Sequence, residues 1–98
     1  MTHILYIGCH AEITETVLRL INARENWSGL GAATEAEALH LFARNDFDIV
    51  LLGCGLSDEI ESRLSAAFSR QKPGIRIVPH YGGGSGLLTN EIISALSQ

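Results

Sequence analysis

Several residue types are scarce in this sequence, and each scarcity closes off a class of protein. Of the 98 residues only two are cysteine, two proline and one lysine, and aromatic side chains make up 6%. Cys9 and Cys54 are too few for a disulfide framework and stand in no C-x-x-C pair, so free thiols in a reducing compartment are expected. Seven basic against eleven acidic residues leave a formal net charge of −4. The positives (Arg19, Arg24, Arg44, Arg63, Arg70, Lys72, Arg76) are spread along the chain, which argues against nucleic acid as a partner. No stretch approaches the roughly 20 apolar residues of a membrane span. Met1-Thr2-His3 has neither the basic nor the apolar region of a secretory leader, so no membrane partner and a cytoplasmic location are expected. What remains is a composition of 46% hydrophobic and 18% charged residues, that of one small globular domain over residues 1–98.

Hydrophobic patterning divides the chain into alternating strands and helices. Ile4-Leu5-Tyr6-Ile7 and Ile49-Val50-Leu51-Leu52 are short apolar runs, each stopped by a glycine, as expected of strands buried on both faces of a sheet. Ile75-Arg76-Ile77-Val78-Pro79 reads as another strand, with Pro79 tolerable at its end or on an edge. Trp27 to Ala33 is assigned as a strand from its position between two helices, despite its two glycines. Ile13, Val17, Leu20 and Ile21 recur at helical spacing from Ala11 to about Arg24, with Glu12 and Glu15 at the positive end of the helix dipole. Thr34-Glu35-Ala36-Glu37 fits a capping box, in which the threonine hydroxyl and the glutamate each bond the other residue's backbone, ahead of Leu39 and Phe42. Ser57 can cap a third helix that carries Ile60, Leu64 and Phe68, and Leu88, Ile92 and Leu96 mark a fourth. A βα unit repeated four times predicts a three-layer α/β/α sandwich around a parallel sheet with right-handed crossovers.

In such sheets ligands bind beyond the carboxyl ends of the strands, where the strand order reverses. For an order of 2-1-3-4 the loops to inspect are Gly8-Cys9-His10, Gly53-Cys54-Gly55, and Pro79-His80-Tyr81 with the glycines that follow. Cys9 is a candidate nucleophile because it precedes a helix N-terminus, although a small residue filling a strand end is the plainer reading. Cys9, His10, Cys54 and His80 offer ligand types suited to zinc, but they come from three loops without metal-binding spacing, so neither metal nor cofactor is expected. Gly82, Gly83, Gly84, Ser85 and Gly86 form a loop whose backbone amides could cradle an anion ahead of the last helix; a flexible connector is the simpler role.

The opening HILYIG (His3 to Gly8) and the stretch TEAEALHLFARNDFDIVLLG (Thr34 to Gly53) resemble a response-regulator receiver domain, a flavodoxin-like signalling module, and the resemblance covers about residues 3 to 79. It implies a protein partner and a role in two-component signal transduction. It also implies a lost reaction. Gly8 and Cys9 stand where receivers place the acidic pair that holds Mg²⁺, and neither side chain is a hard oxygen ligand. Gly53 stands at the phosphoacceptor aspartate, and Pro79 or His80 at the hydroxyl after the fourth strand. Gly8, Cys9, Gly53 and His80 would thus form a degenerate receiver pocket. Lys72 precedes the fourth strand, at the opposite end from the family's lysine. A receiver's fourth helix and fifth strand have no counterpart, which would leave Ile75, Ile77 and Val78 on a sheet edge open to pairing with a second copy. The expected function is a non-catalytic pseudo-receiver that dimerises and acts through protein contacts. A second resemblance, to the B subunits of the lactose/cellobiose phosphotransferase system, implies a phosphoryl carrier using Cys9, although Glu12 would repel the phosphate. An anion or nucleotide sensor at the glycine-rich loop is the third alternative.

Overall fold

The computed structural model describes residues 2–53 and 55–79. Its elements alternate strictly: β1 (Thr2–Ile7), α1 (Ala11–Asn22), β2 (Trp27–Ala32), α2 (Glu35–Arg44), β3 (Ile49–Leu52), α3 (Asp58–Gln71) and β4 (Arg76–Pro79). The strands form one sheet, parallel as the pattern predicts and of the expected flavodoxin-like order β2-β1-β3-β4. The chain steps outward from β1 to β2 and returns across β1 to β3, so the order reverses between β1 and β3.

Every residue of β3 is buried, as are Ile4 to Ile7 of β1, because helices cover both faces of these central strands. Alternate side chains feed two clusters. Ile4, Tyr6, Ile49 and Leu51 pack with Val17 and Ile21 of α1 and with Trp27. Leu5, Ile7, Val50 and Leu52 pack with Ala38 and Phe42 of α2 and with Leu64 and Phe68 of α3. On the second face Phe42 stacks on Phe68 with ring centroids 4.3 Å apart, an offset contact worth more than its buried area alone. The glycines of β2 have a packing reason: a Cβ at Gly29 would stand 2.9 Å from Ile21 Cγ2, and one at Gly31 would stand 2.8 Å from Leu18 Cδ1. Their bareness lets α1 lie close against this edge strand.

The caps follow the sequence, with one refinement. Thr34 Oγ1 accepts from the Glu37 N–H at 3.1 Å and Ser57 Oγ from the Ile60 N–H at 3.2 Å. The Glu37 carboxylate accepts from the N–H of Ala33 at 3.0 Å, one residue ahead of the cap, instead of from Thr34. α1 ends at Asn22, two residues short of the expected Arg24, as the Arg24 N–H turns to the Ile21 carbonyl and the Asn22 side chain bonds Gly29. Ile75 donates to the Lys72 carbonyl in a turn, so β4 begins at Arg76. Lys72 itself binds Asp46 Oδ1 at 2.6 Å and the Phe47 carbonyl at 2.5 Å. That contact ties the end of α3 to the approach to β3, at the amino end of the sheet. Hydrogen bonding to the Lys72 ammonium and its charge hold the Asp46 carboxyl below its ordinary pKa. The expected helix at Leu88, Ile92 and Leu96, the Gly82–Gly86 loop, Cys54, His80 and Tyr81 lie outside the described residues.

Candidate functional site at the carboxyl ends of β1 and β3

The register that pairs Ile7 with Leu52 continues one residue further: the Gly53 N–H donates to the Ile7 carbonyl at 2.7 Å, and the Gly8 N–H donates to Ala32 at 3.0 Å. Gly8 and Gly53 therefore sit side by side at the switch point, both buried. Between them lies the Tyr6 ring. Residues two apart on a strand share a face, so Tyr6 points to the same side as Gly8 and its ring reaches along the sheet toward the strand end. Tyr6 is 1% exposed. A Cβ at Gly8 would stand 2.9 Å from Tyr6 Cε1 and 3.2 Å from its hydroxyl oxygen. A Cβ at Gly53 would run into that hydroxyl and stand 2.5 Å from Cζ and 2.9 Å from the Ile7 carbonyl oxygen. The two glycines are the space in which the phenol fits.

Above this plug the loop after β3 folds onto Cys9. Gly55 has φ +88°, a left-handed conformation that suits glycine, and a Cβ there would stand 2.9 Å from Cys9 Cβ. The exposed Cys9 thiol donates to the Gly55 carbonyl at 3.3 Å. The group facing the sulfur is thus an acceptor, whereas an anion cradle presents N–H donors. His10, which precedes α1, makes no side-chain cap, and Glu12 occupies the first turn. Among the described residues no group of three His, Cys, Asp or Glu is placed to hold a metal ion, and no helix is long and apolar enough to cross a membrane.

The structure places Gly8, Cys9 and Gly53 close together at the strand ends; His80 and the Gly82 to Gly86 loop lie outside the described residues. Ile75 and Ile77 pack against the α2–α3 cluster and Val78 against the α1 cluster. A groove of about 630 Å³ lies between α3 and Ile77. Sequence reasoning missed Tyr6. The signal was present as Tyr6-x-Gly8 on one strand face, with Gly53 one step past the paired end of β3.

No family model matches the sequence, and no curated protein matches it. Solved structures do. A CheY-like response regulator receiver domain from Methanospirillum hungatei superimposes with a TM-score of 0.73 at 20% identity, over 97% of this chain and 75% of that one. A chain from Burkholderia thailandensis described as a pilus assembly protein, CpaE, gives 0.74 at 18% identity over 100% of both chains. The lactose-specific IIB domain of the Streptococcus pneumoniae phosphotransferase system gives 0.64 at 18% identity, over 98% of this chain and 91% of that one. The sheet order, the placement of the helices on both its faces and these superpositions agree: the chain has the flavodoxin-like α/β fold of response-regulator receiver domains.

Proposed function

We propose that the chain, one receiver-like domain over residues 1–98, is a non-catalytic signalling module of the cytoplasm that acts through protein contacts. The observation that carries this reading is the Tyr6 ring lodged between Gly8 and Gly53. Aspartyl phosphorylation needs a carboxylate standing free at the strand end and hard oxygen ligands for the cation that accompanies the phosphoryl group. Gly53 supplies no carboxylate, Gly8 and Cys9 supply no oxygen side chain, and the phenol fills the volume in which such groups would stand. Gly8, Cys9 and Gly53, with His80 from the sequence, make up the degenerate pocket of this proposal. Output then comes from what the fold binds. A second copy pairing along the backbone of β4 is the assembly we favour, since that strand pairs only with β3 among the described residues.

The carrier reading has the IIB-like fold and the position of Cys9 in its favour. It has the Gly55 carbonyl at 3.3 Å from the sulfur and Glu12 in the adjacent helical turn against it, since both would repel a phosphoryl group. Native mass spectrometry before and after acetyl phosphate with Mg²⁺ tests both readings. A dimer with no phosphoryl adduct is expected. An adduct that persists in Cys9→Ser would overturn the module reading, and one lost in Cys9→Ser would transfer the function to the carrier. A monomer without adduct would remove the β4 dimer alone.

A further inference from the structure

The outer edge of β2 is closed almost residue by residue. The Ala32 carbonyl points to β1, where it accepts from Gly8; neighbouring residues of a strand point their backbone groups to opposite sides, so Trp27, Gly29 and Gly31 direct theirs outward. The Trp27 N–H donates to the Arg24 carbonyl at 3.2 Å. Asn22 grips Gly29 like an adjoining strand: its Oδ1 accepts the Gly29 N–H at 2.9 Å and its Nδ2 donates to the Gly29 carbonyl at 3.4 Å. Beyond the strand, Glu37 accepts the Ala33 N–H. Among the described residues no side chain or loop carbonyl closes the outward face of Gly31.

A groove of about 320 Å³ opens at that gap, lined by Gly31, Ala32, Thr14, Leu18, Glu15 and Glu37 among others. The Thr14 hydroxyl oxygen is buried and has no hydrogen-bond partner among the described residues. Buried polar atoms in native proteins are overwhelmingly paired, so the orphaned hydroxyl points to a missing polar partner, although the Thr14 atom nearest Gly31 is its methyl carbon, 2.9 Å from where a Gly31 Cβ would stand. The floor is apolar, and Leu30, on the other face of the same edge, is 41% exposed. The rim is acidic. Glu15 and Glu37 flank the groove and Glu12 lies one turn before Glu15. Arg19 meets Glu15 only in a solvent-exposed pair at 3.5 Å, the kind of contact an incoming cation displaces at small cost.

We infer that this groove docks a short extended segment of a partner protein that carries a lysine or arginine between apolar residues. One residue of the segment pairs its carbonyl and N–H with the Gly31 N–H and carbonyl and adds briefly to the sheet edge. The basic side chain runs over Leu18 with its charge toward Glu15 and Glu37, and a turn of the Thr14 side chain that exchanges its methyl and hydroxyl positions gives the hydroxyl a partner on the segment. Side chains of an added strand alternate between faces, so the residues flanking the basic one fall toward Leu30. The inference rests on the protein-contact reading above and assigns it a surface remote from β4.

The test is a ¹H–¹⁵N correlation titration of the full chain with the blocked peptide acetyl-Val-Lys-Val-amide, and with acetyl-Val-Glu-Val-amide as its charge-reversed control. Saturable shifts are expected at Gly31, Thr14, Leu18 and Ala33 with the lysine peptide, and far weaker ones with the glutamate peptide. Thr14→Val keeps the side-chain shape and removes the hydroxyl; it should weaken binding about fivefold, the factor set by one hydrogen bond of ordinary net strength. Equal response to both peptides, shifts centred elsewhere, or undiminished binding by Thr14→Val would overturn the proposal. Shifts of the same amides with protein concentration alone would assign the groove to a second copy instead. A phosphoryl adduct in the mass spectrum with peptide binding intact would strike the functional reading only, and a silent groove on an unmodified chain would strike only this docking site.

Discussion

Gly53→Ala adds one methyl group, and the structure says where it lands. The new carbon meets the Tyr6 hydroxyl, stands 2.5 Å from Cζ and 2.9 Å from the Ile7 carbonyl oxygen. Neither obstacle is the loose end of a flexible chain: Tyr6 is 1% exposed, and the Ile7 carbonyl already accepts the Gly53 N–H. Forcing a methyl group into a filled interior costs about 1–3 kcal/mol. The alanine regains about 0.4–1 kcal/mol by restricting the unfolded chain. A net loss of about 1–2 kcal/mol follows from these two terms, a sizeable share of the 5–15 kcal/mol typical of native proteins. Urea denaturation reads it as a lower midpoint at unchanged slope. A double-mutant cycle isolates the cause. In a Tyr6→Leu background the ring is gone and only the Ile7 carbonyl remains, so Gly53→Ala should cost about 1 kcal/mol less than in the parent, a coupling of the size seen between residues in contact. Equal cost in both backgrounds, or a neutral Gly53→Ala, would refute the claim that the phenol occupies this space.

Other outcomes follow from the scaffold. Phe68→Ala removes a fully buried ring that stacks on Phe42 and should cost about 3–5 kcal/mol in urea denaturation. Thr34→Ala leaves the Glu37 N–H without its cap and should cost about 1 kcal/mol in the same assay. The lowered Asp46 pKa, caused first by its hydrogen bond to Lys72, gives a contribution that is complete above the ordinary aspartate value and is lost as pH falls through the lowered one. In Lys72→Met the Asp46 carboxyl, followed by ¹³C NMR, should titrate at a higher pH than in the parent.

Much of the scaffold was legible because single local signals decided it. The Ile49–Leu52 run gives β3 its bounds to the residue, Thr34 and Ser57 open their helices, and alternating βα units make the sheet parallel, its order following from the receiver resemblance. Strand β2 was harder to read, since its glycines carry no strand preference and answer instead to Leu18 and Ile21 of α1. The ends of α1 and β4 depend on Asn22 and Lys72, whose partners lie in the following loop and turn. The candidate site was half legible. The glycines at 8 and 53 stood out through the receiver resemblance, but the occupant of the space they leave emerges only when strand register brings Tyr6, Gly8 and Gly53 together. Asn22 on Gly29 and the open Gly31 are likewise matters of which way an edge strand faces, which composition does not encode.

The account turns on the position of one ring, and nuclear Overhauser contacts from the Tyr6 ring report it directly. Strong contacts from the ring protons to the α-protons of both Gly8 and Gly53 are expected, with the ring protected from solvent. A ring that shows neither contact and samples solvent would leave the strand-end pocket open, and the account of a plugged receiver site would be wrong.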